Sequence, residues 1–416
     1  MRMLLSKLKN NSIFSQSIVL LISTILGMVV LLFSNFFLTK LISPKMFGDY
    51  SYVLNVFNLF QTIFNFGFFY SINRQVVLSR SEFDIRQSFG LGLLFIVGLS
   101  IPMIIVMYIF TISSIEDSLI RSSLFLLIPF SVLSLMINFN ELILQGGNKI
   151  KALSLSRILP KFLYFLTIIS IYFIFVNKYE DYTIYLIIYF LCLLISHIVI
   201  ISIIKPIFSG VTKRMPEILK FNKEFGFSVY LGALISLGAS SLNGILIGEF
   251  GTSNLEVGYY AIALQFTAPL TLIPNVIATA SYKSFSENKK INKNQLVITI
   301  VISIVSLIFM LTFCEWIVKL IYGVNYIQST ELIRISSIGA VLFGLSDYFN
   351  RFLLANGQGK KLRNTSFFVG ISMIISCIIL IPIFNGLGAS LSYLFAGLVY
   401  LSVIIFQVKN TNLEEI

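Results

Sequence analysis

Hydrophobic and polar positions along this chain fall into long blocks rather than short alternations. Uncharged, strongly apolar runs extend from Lys9 to Lys40, Asp49 to Arg74, Arg86 to Glu116, Arg121 to Glu141, Asp181 to Lys205, Glu224 to Glu249, Glu256 to Lys283 and Lys293 to Glu315. Each can cross the hydrocarbon of a bilayer as a helix, which takes roughly 20 residues. The stretch from Arg363 to Lys409 holds two more, separated by the turn signal Asn385-Gly386-Leu387-Gly388. Two shorter runs, Lys161 to Lys178 and Arg334 to Asp347, reach spanning length only if charge is admitted inside the membrane. Admitting it predicts helices over about Leu153–Val176 and Leu332–Ala355. The pattern therefore predicts an all-α membrane protein of about twelve transmembrane helices, spans 1 to 12 in chain order.

Composition strengthens this expectation, because 416 residues that are 57% hydrophobic and only 12% charged carry more apolar surface than a water-soluble fold can hide. The first run is too long for a signal-peptide core and is expected to remain as span 1. Charge sets the orientation. With the N-terminus inside, only Lys40, Lys45, Arg121, Lys178, Lys319 and Arg334 of the 30 lysines and arginines fall on the outer side. The positive-inside rule then places both termini in the cytoplasm. The net charge of +12 lies against the anionic inner leaflet, so no nucleic acid is needed as its partner. Cys192, Cys314 and Cys377 all lie in apolar runs and are odd in number, which suits packing rather than disulfides. The one histidine, His197, cannot assemble a metal site by itself. With so little acid–base chemistry and short outer loops, no enzyme and no cofactor are expected.

Two short matches recur roughly 210 residues apart, as faint repeats in transporters do. Gly48-Asp49-Tyr50, opening span 2, pairs with Gly258-Tyr259-Tyr260, opening span 8. Gln145-Gly146-Gly147-Asn148-Lys149, closing span 4, pairs with Asn356-Gly357-Gln358-Gly359-Lys360, closing span 10. An even number of spans per repeat makes the halves parallel, related by a pseudo-two-fold along the membrane normal. The expected organisation is an N-lobe of six helices over residues 1–204, a cytoplasmic linker over 205–223, and a C-lobe of six helices over 224–416, with a cleft between the lobes.

Polar side chains inside the spans supply the candidate chemistry. In span 2, Asn55, Asn58, Thr62 and Asn65 recur at helical spacing with Gln61 beside them. Span 8 answers with Gln265, Thr267, Thr271, Asn275 and Thr279, and span 7 adds Ser236, Ser240 and Asn243. Such amides either join helices by hydrogen bonds or line a wet path suited to sugar hydroxyls. Charges inside spans cost on the order of 3 kcal/mol each at the helix centre and tend to mark a pathway. Arg157 and Lys161 share one face of span 5, where they anchor to the inner leaflet or hold an anion. Asp347 and Arg351, spaced for an ion pair, lie in span 10. Asp347, Glu315, Glu249 and Glu141 are the candidates for coupling to H+ or Na+, Asp347 first.

Several stretches resemble the Wzx-type polysaccharide flippases, the O-antigen transporters: Leu38-Thr39-Lys40-Leu41-Ile42-Ser43-Pro44-Lys45-Met46-Phe47-Gly48-Asp49-Tyr50, Gly67 followed by Arg74, Glu256-Val257-Gly258-Tyr259-Tyr260-Ala261, Leu320-Ile321-Tyr322-Gly323 and Gly386-Leu387-Gly388-Ala389. The resemblance implies the two-lobed bundle of the multidrug, oligosaccharidyl-lipid and polysaccharide exporter superfamily. It implies translocation of an undecaprenyl-pyrophosphate-linked O-antigen or capsule repeat unit by alternating access across a bacterial inner membrane. It further implies basic residues that hold the pyrophosphate, a role that falls to Arg74, Arg157, Lys161 and Arg351; the glycan path is read from the polar stripes instead, along Asn55, Asn58, Gln61, Asn65, Asn243, Gln265, Thr271 and Asn275. A polysaccharide polymerase and a chain-length regulator are the expected partners beside lipid-linked oligosaccharide and the bilayer. Lys40 stands where arginine is common, and Asn243 where an acid often occurs. The rival readings are a cation-coupled small-molecule or drug antiporter of the same superfold and a membrane-embedded polymerase or acyltransferase. Span 1, without charge between Lys9 and Lys40, speaks against the antiporter.

Overall fold

The apolar runs are helices. The computed structural model describes residues 12–79, 81–174 and 181–411, leaving out the side chains at 12–18, 232, 233, 235–240, 283, 286 and 288. Span 1 is α1 (Ser12–Leu41) and span 2 is split into α2 (Pro44–Ile63) and α3 (Phe68–Leu78). Span 3 is α4 (Glu82–Ser114), and span 4 is α5 (Ser118–Leu127) and α6 (Ser131–Gly146) joined by a 3-10 turn. Spans 5 and 6 are α7 (Ile150–Ile174) and α8 (Tyr182–Ile204). A short α9 (Val211–Phe221) precedes span 7, which is α10 (Phe227–Phe250), and span 8 is α11 (Leu255–Ala280). After α12 (Tyr282–Asn288) come α13 (Lys293–Ile321), α14 (Ser329–Ala355), α15 (Gly359–Phe384) and α16 (Gly386–Lys409), spans 9 to 12. No strand occurs among the described residues.

Ten of these spans are long and apolar enough to cross a membrane. The other two are spans 2 and 7. Span 2 carries Lys45, Asp49 and its amides, and span 7 contains the undescribed side chains at 232, 233 and 235–240. The apolar residues face outward as well as inward: Val305, Ile308, Phe309 and Trp316 on α13 are all more than half exposed. That inversion of the soluble pattern is what a hydrocarbon solvent requires. Hydroxyls within the spans turn back to their own helix, as Ser303 does to the Thr299 carbonyl at 2.8 Å and Thr111 to Met107 at 2.8 Å. Polar residues cap the helix starts, with Asp117 accepting from Leu119 N at 2.9 Å and Asp181 from Thr183 N at 2.8 Å.

The chain divides into two compact units, Met1–Ser43 with Val53–Leu234, and Pro44–Tyr52 with Ile235–Ile416. Both α2 and α10 are thus divided, the start of α2 belonging to the second unit and the start of α10 to the first. Within the second unit, Gly339 of α14 and Gly397 of α16 let their helices approach closely, a β-carbon on Gly397 lying 3.1 Å from the Gly339 oxygen.

Three local features depart from expectation. Span 2 breaks at residues 64–67, where Phe66 has φ 44° and Gly67 φ 83°, so Asn65 lies in the break instead of on a helical stripe. The turn between spans 11 and 12 narrows to Asn385 alone, at φ 53°, with Gly386 already helical. The linker over 205–223 contains α9, held to the first unit by an Arg214–Asp84 ion pair, by Gln75 donating to Glu217 at 2.9 Å and by Arg86 donating to the Lys205 carbonyl at 2.7 Å.

Candidate functional site

Three charged side chains, Arg157, Lys161 and Glu141, come together in the first unit where α7 packs along α1 and meets α6. Arg157 and Lys161 are one helical turn apart on α7 and share a face. The Arg157 guanidinium donates through Nε to Glu141 Oε2 at 3.0 Å and through Nη2 to Glu141 Oε1, a two-point contact. Its Nη1 donates to Thr24 Oγ1 of α1 at 3.0 Å. Three residues along α1, Gly27 leaves room for the Lys161 side chain: a β-carbon there would stand 3.3 Å from Lys161 Nζ and 3.5 Å from its Cδ. Among the described residues that ammonium has no hydrogen-bond partner, so the locus carries one cation more than its carboxylate neutralises. At the start of α7, a cavity of about 410 Å³ is lined by Val19, Glu82, Asn148, Lys149, Lys151 and neighbouring apolar residues, with Lys149 paired to Glu82 at 2.6 Å.

Arg74, on α3, lies over the Phe225 ring at 4.8 Å from its centre and is exposed. Arg351 belongs to α14 in the second unit.

The amide stripes divide by helix. On α2, Asn58 is exposed, accepts from Gln61 Nε2 at 3.0 Å, and its carbonyl accepts from Thr62 at 2.8 Å, while Asn55 is half-buried. On α11 the amides point to neighbours in their own unit: Gln265 accepts from Tyr322 at 3.0 Å and Asn275 donates to Asp347 at 3.5 Å. Thr271 lies beside Gly344, whose β-carbon would stand 3.1 Å from the Thr271 carbonyl. Asn243 is fully buried, donating to Tyr260 at 2.8 Å and accepting from Cys377 at 2.7 Å, so it bonds α10 to α11 and α15 rather than lining an open path. The Ser236 and Ser240 side chains lie outside the described residues.

The four acids differ in what they hold. Glu141 is committed to Arg157, and Glu315 to Lys319 at 2.8 Å and Arg334 at 3.6 Å. Glu249 accepts from the buried Tyr52 hydroxyl. Asp347 does not form the ion pair its spacing to Arg351 suggested. It accepts from Tyr400 at 3.0 Å and from Asn275, while Tyr400 accepts from Asn350 at 2.8 Å. The i, i+4 spacing permits a pair but does not impose one, and two neutral donors have taken the carboxylate instead. Tyr400, Asn350, Thr24 and Gly27 were not singled out from sequence. A tyrosine within a final apolar run, or a glycine within the first, carries no motif.

Residues 11–289 match a family model described as polysaccharide biosynthesis protein. The chain belongs to that family. No curated protein matches it by sequence. Among solved structures, the lipid II flippase MurJ in an inward closed conformation is similar, with a TM-score of 0.75 at 16% identity, over 96% of this chain and 89% of MurJ. An inward-facing multidrug resistance MATE family transporter of the MOP superfamily gives 0.70 at 15% identity, over 96% and 99%. A MOP superfamily transporter from Pyrococcus furiosus gives 0.65 at 15% identity, over 95% and 95%. At such identities the likeness establishes the fold. This member of the polysaccharide biosynthesis family is a multi-pass membrane protein with that helical architecture. The matched stretch contains Thr24, Gly27, Glu141, Arg157 and Lys161, while Glu315, Asp347 and Arg351 lie beyond it.

Proposed function

We propose that this protein is a flippase that carries an undecaprenyl-pyrophosphate-linked oligosaccharide, an O-antigen or capsule repeat unit, from the inner to the outer leaflet of a bacterial inner membrane. Twelve spans with both termini cytoplasmic accompany this reading, on the strength of the basic residues' distribution. One observation carries the choice of substrate: Lys161, within the apolar length of α7, has an ammonium with no hydrogen bond among the described residues beside an arginine that already holds the nearby carboxylate. A cation in that position calls for an anion, and the head group of a lipid-linked sugar supplies one.

In this mechanism Arg157 and Lys161 hold the pyrophosphate, with Arg74 as a further basic contact. Uncharged amides on α2 and α11 offer donors and acceptors to sugar hydroxyls without trapping them by charge. Alternating access delivers the sugar outward while the polyprenyl tail stays in the bilayer. Coupling to H+ or Na+ falls to Asp347, which among the named acids is held by neutral donors within its apolar span. A polymerase and a chain-length regulator in the same membrane would receive the product.

Deleting the gene and analysing polyprenyl-linked glycans by mass spectrometry should reveal accumulated repeat units with their sugar still on the cytoplasmic side. Complementation with Arg157→Gln or Lys161→Gln should fail to restore export. Full export by both variants would remove the head-group assignment.

A further inference from the structure

Glu141 occupies the place on Arg157 that an anionic head group would take. Its two oxygens meet Nε and Nη2, the same fork that guanidinium offers a phosphate, while Thr24 holds Nη1 at 3.0 Å from the other side. The pair is not sealed. The Arg157 and Glu141 side chains are 29% and 38% exposed, so an incoming anion can exchange with the carboxylate. Lys161, about 6 Å further along α7 by the helical rise, is the second cation of the same face.

We infer that Glu141 is an internal counter-ion which the ligand must displace from Arg157, and that this displacement makes the site select pyrophosphate-linked over monophosphate-linked lipids. The inference rests on the flippase reading and names what that reading leaves open, the source of head-group selectivity. A single phosphate can take Lys161 and leave Glu141 in place, or take Arg157 and expel Glu141, but one small group does not reach both cations at full strength. Two linked phosphates span both. Their greater charge offsets the lost carboxylate bond and the repulsion from the freed Glu141. Thr24 keeps the guanidinium oriented during the exchange. When the head group departs, Glu141 returns to Arg157, so the empty carrier does not leave that arginine unpaired in the apolar interior and holds monophosphate carrier lipid weakly.

The test uses the full-length protein in nanodiscs with undecaprenyl pyrophosphate, undecaprenyl monophosphate and undecaprenol as probes. Wild type should bind the pyrophosphate at least about tenfold more tightly than the monophosphate. Glu141→Gln should tighten monophosphate binding and shrink that ratio to about threefold or less, while Arg157→Gln should weaken pyrophosphate binding to near the monophosphate level. Glu141→Asp keeps the charge but is too short for the two-point contact, and should shift the ratio in the same direction. It carries the test if Glu141→Gln does not fold. An unchanged ratio in the folded Glu141 variants overturns the inference and leaves the flippase reading standing. Wild type binding neither phosphate more tightly than undecaprenol overturns both.

Discussion

Gly67 and Gly226 meet backbone to backbone: a β-carbon on Gly67 would lie 2.6 Å from the Gly226 carbonyl group, and one on Gly226 would lie 2.6 Å from the Gly67 oxygen. Gly67 also has φ 83°, where a side chain is strained. Around the contact, Asn222 donates to the Phe66 carbonyl at 3.1 Å and accepts from Ser71 at 3.1 Å. The break in span 2 is thereby fastened to the π-helical segment Asn222–Gly226 that precedes α10. Gly67→Ala and Gly226→Ala should each destabilise the protein by about 1–3 kcal/mol, Gly67→Ala more strongly. Gly98→Ala is the control, since nothing lies within 4 Å of its added methyl. Thermal unfolding in detergent reads the difference, and equal midpoints for all three would contradict the close approach.

Asn243 is expected to matter for stability and not for the sugar. Replacing it by alanine leaves the Tyr260 hydroxyl and the Cys377 thiol without the partner they share, in a place with no access to water. The cost should be about 2–4 kcal/mol, read as a lower melting temperature and lower membrane abundance. A variant of normal stability with altered glycan preference would return Asn243 to the transport path.

The contrast between what was legible and what was not follows from the range of the interactions. Asn385 ends α15 because an Asn-Gly pair punctuates a helix locally, and the pattern of spacing alone located it. Ten apolar runs announce themselves the same way, each through its own composition, whereas the helices over about Leu153–Val176 and Leu332–Ala355 emerge only once charge is admitted inside the membrane. The break at Phe66 was invisible, because its cause is the approach of Gly226 from far along the chain. For the same reason α9 reads as a basic linker until Asp84 and Gln75 are seen to hold it. Arg157 and Lys161 could be placed on one face by periodicity. That Glu141 comes from α6 and Thr24 from α1 depended on how three helices pack, and a single sequence does not encode that in any local pattern.

Gly27 tests whether the Lys161 ammonium needs its present position. A methyl at Gly27 would touch Lys161 Nζ at 3.3 Å, the free end of a flexible chain, so Gly27→Ala should be accommodated by a small shift. Gly27→Leu should drive the ammonium away from Arg157. Export in cells is expected to stay within about twofold of wild type for alanine and to fall at least about tenfold for leucine. Membrane abundance measured in parallel separates loss of function from loss of fold.

Asp347 separates charge from hydrogen bonding. Its carboxylate accepts from Tyr400 at 3.0 Å and from Asn275 at 3.5 Å. Asp347→Asn retains an acceptor for Tyr400 and nearly the same volume, so it should alter the melting temperature little. If the charge binds the coupling ion, the same variant should lose at least about tenfold in flipping rate and become insensitive to an imposed Na+ or pH gradient in proteoliposomes. Tyr400→Phe removes one neutral donor while leaving the charge, and also deprives Asn350 of its 2.8 Å acceptor. It should slow flipping only a few-fold, about 1 kcal/mol in the barrier, and keep the gradient dependence. Gradient-driven flipping by Asp347→Asn at the wild-type rate would exclude Asp347 from coupling, and the ion would then have to be sought at Glu249.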